Sequence, residues 1–210
     1  MTEDGKYVIM ISSSVYHFED QLLQIASYLR TLGYDVILSM DGSIKVHPFK
    51  HNFTNCLEAV AECDLFVGII RPYAGSGQVN GVCITYEEMK KARELHKPSW
   101  FVVSENVMQI REFLHVMRIK QKISRNKILS FFCNSNLQKI KVLDLFETTD
   151  KQKFDPMCLE MVNFVIQPEV SFEERINNWC QNYRYVSDIT HFLGEQFSNT
   201  QFIENILKEA

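Results

Sequence analysis

The chain has 210 residues, 46% of them apolar, 12% aromatic and 23% charged, and its 22 Lys and Arg against 26 Asp and Glu give a net charge of −4. That composition excludes a globally disordered chain and supplies ample material for a buried core, while the lack of a basic excess excludes a general nucleic-acid binder. At roughly 100 to 200 residues per domain, the length suits one core with an appendage.

From the N-terminus, Tyr7 to Ile11 is a short continuous apolar run ending at Ser12, Ser13 and Ser14, as expected of a strand buried on both faces. His17 to Leu32 carries Phe18, Leu22, Ile25, Ala26 and Leu29 at helical spacing, and Gly33 stands where a helix needs its left-handed cap. Asp35 to Met40 reads as a second strand closed by the turn signal Asp41-Gly42, and Asn52 to Glu62 as a second helix. Asp64 to Ile70 is the third strand. A glycine-punctuated loop from Arg71 to Gly81 leads to a helix near Thr85 to His96, and Trp100 to Val103 is the fourth strand.

Short strands alternating with helices give an α/β fold, a Rossmann-like open parallel sheet with helices on both faces, over residues 1–105. Residues 106–210 read as a mainly helical C-terminal extension, packed on or completing the first domain. Within it, helices are expected near Asn106 to Met117 and Ser187 to Glu209 and a strand at Ile140 to Asp144. The five cations Arg118, Lys120, Lys122, Arg125 and Lys127 read as a solvated face, with an anion or nucleic-acid contact as the alternative.

The six cysteines, Cys56, Cys63, Cys83, Cys133, Cys158 and Cys180, form no C-x-x-C pair, which points to reduced and mostly buried thiols. His47, His51, Cys56 and Cys63 fit no compact zinc spacing, so no metal is expected. No apolar run approaches the roughly 18 residues of a membrane span, and Met1 to Lys6 lacks the layout of a signal peptide, so a cytoplasmic chain without a membrane partner is expected.

In an open parallel sheet, ligands gather beyond the carboxyl ends of the strands. The first such loop carries Ser12, Ser13 and Ser14 in place of a G-x-G-x-x-G fingerprint; its hydroxyls and amides suit a phosphate or ribose, or simply cap the next helix. The third brings Arg71, Tyr73 and Gly75 before a helix that opens Thr85-Tyr86-Glu87-Glu88. Glu88 shares the stripe of Ala92 and Leu95, whereas Glu87 falls with Lys90, Lys91 and Glu94 on the wet side and suits an i,i+4 pair with Lys91. Glu88 is therefore expected on the sheet side, where burial raises its pKa and a nearby Arg71 lowers it. The alternative is a capping box, Thr85-x-x-Glu88, in which Glu88 bonds back to its own helix.

On Ile11 to Ser14 with Phe18, Cys63 to Val67, Tyr73 and Gly75, and above all Ile84-Thr85-Tyr86-Glu87-Glu88 running to Lys97-Pro98, the chain resembles a family of bacterial TIR-like domains of unknown function, related to TIR domains and nucleoside 2-deoxyribosyltransferases. The resemblance covers about residues 6–104 and is fainter beyond Lys139. It implies that Glu88, with the small Ala92 four residues on, faces the sugar of a nucleoside or of NAD. The implied chemistry is attack at an anomeric carbon through an oxocarbenium-like state stabilised or captured by a carboxylate. Lys90 stands where the transferases usually have glycine, Gln78 to Gly81 lacks their frequent acidic residue, and the TIR-type Trp-Cys pair is missing. These departures favour an NAD-type glycohydrolase over a neutral-base transferase and leave loss of catalysis as the alternative.

The resemblance also implies a role in bacterial defence or stress and assembly into a homo-oligomer. NAD or another nucleotide would be substrate or ligand, with no resident cofactor. Asp41 is a candidate for ribose hydroxyls or only a turn residue, and Tyr16 and Tyr73 for base stacking or only packing. Two functions compete: a nucleotide N-glycosidase using Glu88, and a non-catalytic nucleotide-binding or protein-interaction module in which Glu88 is a helix cap.

Overall fold

A computed structural model describes residues 5–75, 78–79, 81–120 and 154–209. In chain order they form β1 (Val8–Ser13), α1 (Glu19–Thr31), β2 (Asp35–Leu38), α2 (Asn52–Glu62), β3 (Leu65–Ile70), a short antiparallel pair β4 (Gln78–Val79) and β5 (Val82–Cys83), and α3 (Ile84–Glu94). Then come β6 (Ser99–Ser104), α4 (Glu105–Lys120), α5 (Met157–Ile166), β7 (Cys180–Tyr183), α6 (Val186–Phe197) and α7 (Thr200–Glu209).

Five strands build one parallel sheet in the order β2-β1-β3-β6-β7. The fold is α/β and Rossmann-like, with a helical C-terminal region. Because side chains alternate across a strand, β1 sends Ile9 and Ile11 to one face and Met10 to the other. On the first face they meet Leu22, Ile25 and Leu29 of α1 and Ile189, Leu193 and Phe197 of α6. On the second, Met10, Phe66, Ile70 and Phe101 meet Ala59 and Val60 of α2, Met89 and Ala92 of α3, and Val162 and Val165 of α5. Both faces are covered, which is why β3 is buried at all six positions and reads as an uninterrupted apolar run. Gly33, at φ +97°, takes the left-handed conformation at the end of α1.

The elements over residues 7–104 appear where expected, shifted by one or two residues at their ends, and the helix expected near Asn106 is α4. Three features differ. The stretch Ser187 to Glu209 is two helices, not one, broken at Ser198–Asn199. The loop Arg71 to Gly81 contains the β4–β5 pair. The sheet has a fifth strand, β7, whose sequence Cys-Gln-Asn-Tyr lacks an apolar run because it pairs with β6 alone among the described residues and buries only Tyr183 fully. The strand expected at 140–144 and the charge run up to Lys127 fall outside the residues whose side chains are described.

Gly68 has a packing role. In the register it lies between Ser12 of β1 and Phe101 of β6, and a Cβ built on it would stand 2.7 Å from the Phe101 ring. That ring is 1% exposed and has nowhere to retreat. Gly68→Ala is therefore expected to cost about 1–3 kcal/mol of stability through overpacking, read as a lower urea midpoint at unchanged m-value.

Candidate functional site

The strand order reverses between β1 and β3, since the chain leaves β1 for β2 on one side and returns to β3 on the other. In doubly wound sheets, this switch point opens a crevice at the carboxyl ends of the strands. The loops there are Ser14 to Phe18 after β1 and Arg71 to Gly75 after β3, with the start of α3 behind them.

Glu88 is the fifth residue of α3, and its side chain turns to the sheet, 4% exposed, one turn before the buried Ala92. Its Oε2 accepts a 2.5 Å hydrogen bond from Ser12 Oγ, which β1 delivers to the same face as Met10. Cys56, on α2, donates its thiol to the same carboxylate. Burial pushes the Glu88 carboxyl up to about 7, against the opposing pull of the Ser12 and Cys56 donors, which favour the charged form. In return, burial and the neighbouring carboxylate push the Cys56 thiol up to about 11, so it acts as a neutral donor rather than a nucleophile.

The capping-box alternative does not apply. The N-cap of α3 is Cys83, its side chain makes no capping bond, and Thr85 and Glu88 stand inside the helix rather than at its cap and third position. Glu87 is on the wet side as expected, but it pairs with Lys90, while Lys91 pairs with Glu94 at 3.0 Å.

Arg71 departs from expectation. Its Nη1 donates to the main-chain oxygens of Ser14 (2.7 Å) and Tyr16 (3.0 Å) and to Ser14 Oγ (3.2 Å), and its guanidinium lies 4.4 Å over the Phe18 ring. The cation is thus spent on the β1–α1 loop and does not set the Glu88 pKa, which burial, Ser12 and Cys56 determine. Ser14 Oγ donates in turn to the carbonyl of Tyr73 at 2.5 Å. Gly75, at φ +109°, passes against the Ser14 side chain in a conformation that a side chain would strain. The Tyr16 and Tyr73 rings meet at 5.5 Å, with Tyr16 40% exposed.

Ser12 and Glu88, with Cys56, therefore form one set, and Ser14, Arg71, Tyr73 and Gly75 a second, whereas the Ser13 hydroxyl bonds to the neighbouring Ser14 carbonyl at 3.2 Å. Asp41 is part of neither. Its carboxylate pairs with Arg30 at 2.6 Å and accepts from the amide and hydroxyl of Ser43, which closes the turn after β2. Cys56 is the member that sequence reasoning missed: its contact crosses from α2 to α3, and no local pattern encodes it.

Of the expected thiols, Cys56, Cys63, Cys83, Cys158 and Cys180 are free, and Cys133 lies outside the described residues. His47 and His51 each accept a main-chain amide two residues on, Cys63 donates to the carbonyl of Val60, and no group of three metal-binding side chains gathers among the described residues. No helix among them is long and apolar enough to cross a membrane.

A family model described as a domain of unknown function, DUF4062, matches residues 8–153. No curated protein and no solved structure matches the chain.

The Glu88 environment links stability to pH. The folded chain keeps a proton on Glu88 up to about 7, while the unfolded chain loses it near 4.5. This group's contribution is thus complete below about 4.5 and is lost as pH rises through 7, on the order of 3 kcal/mol in all. Glu88→Gln, which cannot ionise, is expected to raise the urea midpoint at pH 8 and leave it nearly unchanged at pH 4.

Proposed function

The chain belongs to the DUF4062 family, and on the residues of its switch-point site we propose that it is a nucleotide N-glycosidase acting on an NAD-type substrate. The observation that carries this reading is Glu88: a carboxyl 4% exposed, held by Ser12 at the carboxyl end of β1, with a pKa near neutrality. The finer kinship, with TIR domains and nucleoside 2-deoxyribosyltransferases, is part of the same proposal and rests on Ile84 to Glu88 and the serine loop.

The site chemistry suits a leaving group that is already cationic. A positively charged nicotinamide ring beside Glu88 favours the ionised carboxyl, so substrate binding expels the proton that burial keeps there. The bond from the anomeric carbon to the base nitrogen then breaks with its electron pair leaving on the base, which becomes neutral. The oxocarbenium-like sugar faces the carboxylate in a site with little water to screen it. Water adds its oxygen to the anomeric carbon, and Glu88 takes the proton that the water gives up before passing it to solvent. Ser12 positions the carboxylate, and in this reading the base stacks on the Tyr16 and Tyr73 rings.

A second reading has an observation of its own. Both polar contacts of Glu88 are to the protein, and Nη1 of Arg71 is engaged by the main-chain oxygens of Ser14 and Tyr16 and by the Ser14 hydroxyl, as suits a module that binds a nucleotide without cleaving it.

Incubation of the full chain with NAD, followed by chromatography of released nicotinamide, separates the two. Cleavage is expected, with a loss of about 100-fold or more in Glu88→Gln. NAD binding without nicotinamide release, unchanged in Glu88→Gln, would instead establish the non-catalytic module. Ser12→Ala removes a donor that favours the carboxylate, so the ascending limb of the pH–rate profile is expected to move to higher pH.

A further inference from the structure

A groove of about 1290 Å³ lies beside β7, bounded by the start of β6, by α6 and α7 and by residues 167–179. That exceeds the roughly 300–1,000 Å³ of a small-molecule site and suits a segment of polypeptide. The half-buried Trp100, Phe192 and Ile206 line it, as do Ile176 and Trp179, which are 78% and 70% exposed. Large apolar side chains grouped on a surface in this way mark a place where a partner docks.

The edge of the sheet opens onto the same groove. β7 pairs with β6 on one side, and among the described residues no main-chain hydrogen bond reaches its other side. Gln181 and Asn182 of that strand line the groove, and Gln181 Nε2 lies 3.4 Å from the Asn182 carbonyl, at the weak end of hydrogen bonding. Trp179 to Tyr183 holds neither proline nor a charged residue, so the strand lacks two of the usual devices that stop an edge from pairing.

Charge selects the partner. Four carboxylates, Glu174, Asp188, Glu195 and Glu209, line the groove with two cations, Arg93 and Lys97, and the histidines His96 and His191. Both cations are committed to the protein itself: Arg93 donates to the carbonyls of Phe164 and Asn177, and Lys97 to those of Ala61 and Cys63. Asp188 accepts the main-chain amides of Arg184 and Tyr185, whereas Glu174, Glu195 and Glu209 make no ion pair among the described residues. The groove thus favours a cationic occupant. It disfavours a second copy of this chain, which has a net charge of −4 and would set the same carboxylates edge to edge.

We propose that β7 and its groove bind an extended basic segment of a partner protein by strand addition. The partner's main chain pairs with the outer side of β7, every second side chain enters the apolar groove, and flanking lysines or arginines reach Glu195 and Glu209. The site shares no residue with the Glu88 crevice and does not rest on the glycosidase reading.

A synthetic peptide of alternating valine and threonine between lysine pairs tests it. One control replaces the lysines by glutamates; the other is N-methylated at its valines and threonines, which keeps the charge but removes the main-chain donors. In the 15N-labelled full chain, the lysine peptide is expected to shift the backbone amides of Gln181 and Asn182 and the Trp179 indole, and to slow amide exchange along β7. It is expected to bind about tenfold or more tightly than either control, and less tightly as salt is raised. Glu195→Lys with Glu209→Lys, both exposed positions, should remove the preference for lysine over glutamate, and Trp179→Ala should weaken the lysine peptide. A control that binds as tightly as the lysine peptide, no binding by any of the three, or a preference that survives the double charge reversal would overturn the proposal. So would β7 amides protected throughout in the free chain, which assigns the edge to this chain's own residues, and concentration-dependent dimerisation through the same amides, which assigns it to a second copy.

Discussion

The site depends on one contact between distant parts of the chain, the hydrogen bond from the hydroxyl of Ser12 to the carboxylate of Glu88. It holds an acid where solvent scarcely reaches, and it requires two independent structural facts. The parallel pairing of β1 with β3 brings Ser12 to the switch point on the α2 and α3 face, and α3 must cross that face with its second turn over the strand ends. Burial and hydrogen bonding then oppose each other at the same oxygen atoms. Burial prevails, but only far enough to leave the carboxyl near neutrality rather than permanently protonated.

Around this contact the loops are held by main-chain acceptors more than by charge. Arg71 joins the segment after β1 to the segment after β3 through carbonyl oxygens, and Ser14 returns the connection to Tyr73. The cation thus serves as a brace between two loops. Asp41 has a similar local duty in the turn after β2, shared with Arg30 and Ser43. Two residues that look like ligand-binding groups in the sequence therefore have structural duties in the fold.

Much of the sheet was legible because its strands are covered on both faces, so β1, β3 and β6 appear as unbroken apolar runs and α1 ends at a glycine. The inward direction of Glu88 was equally legible, through its spacing to Ala92. Its partners were not, since Ser12 and Cys56 meet it only through tertiary packing. The edge strand β7 was invisible for the opposite reason to β3: a strand with one neighbour and one well-buried residue needs no apolar run. The pairing of Glu87 with Lys90 rather than Lys91 follows from a choice between two neighbours on one helix face, which spacing alone does not decide.

The matched family region ends at residue 153, yet β7 and α6 come after it. Ile189, Leu193 and Phe197 fill the core under α1, the hydroxyl of Tyr34 reaches the carbonyl of Phe197 at 2.9 Å, and β7 saturates the outer side of β6. A fragment trimmed to the family boundary would strip the floor from one hydrophobic layer and leave the backbone of β6 ready to pair with a stranger. The recognisable unit of descent and the stretch that shares one hydrophobic layer are, in this chain, different lengths of polypeptide.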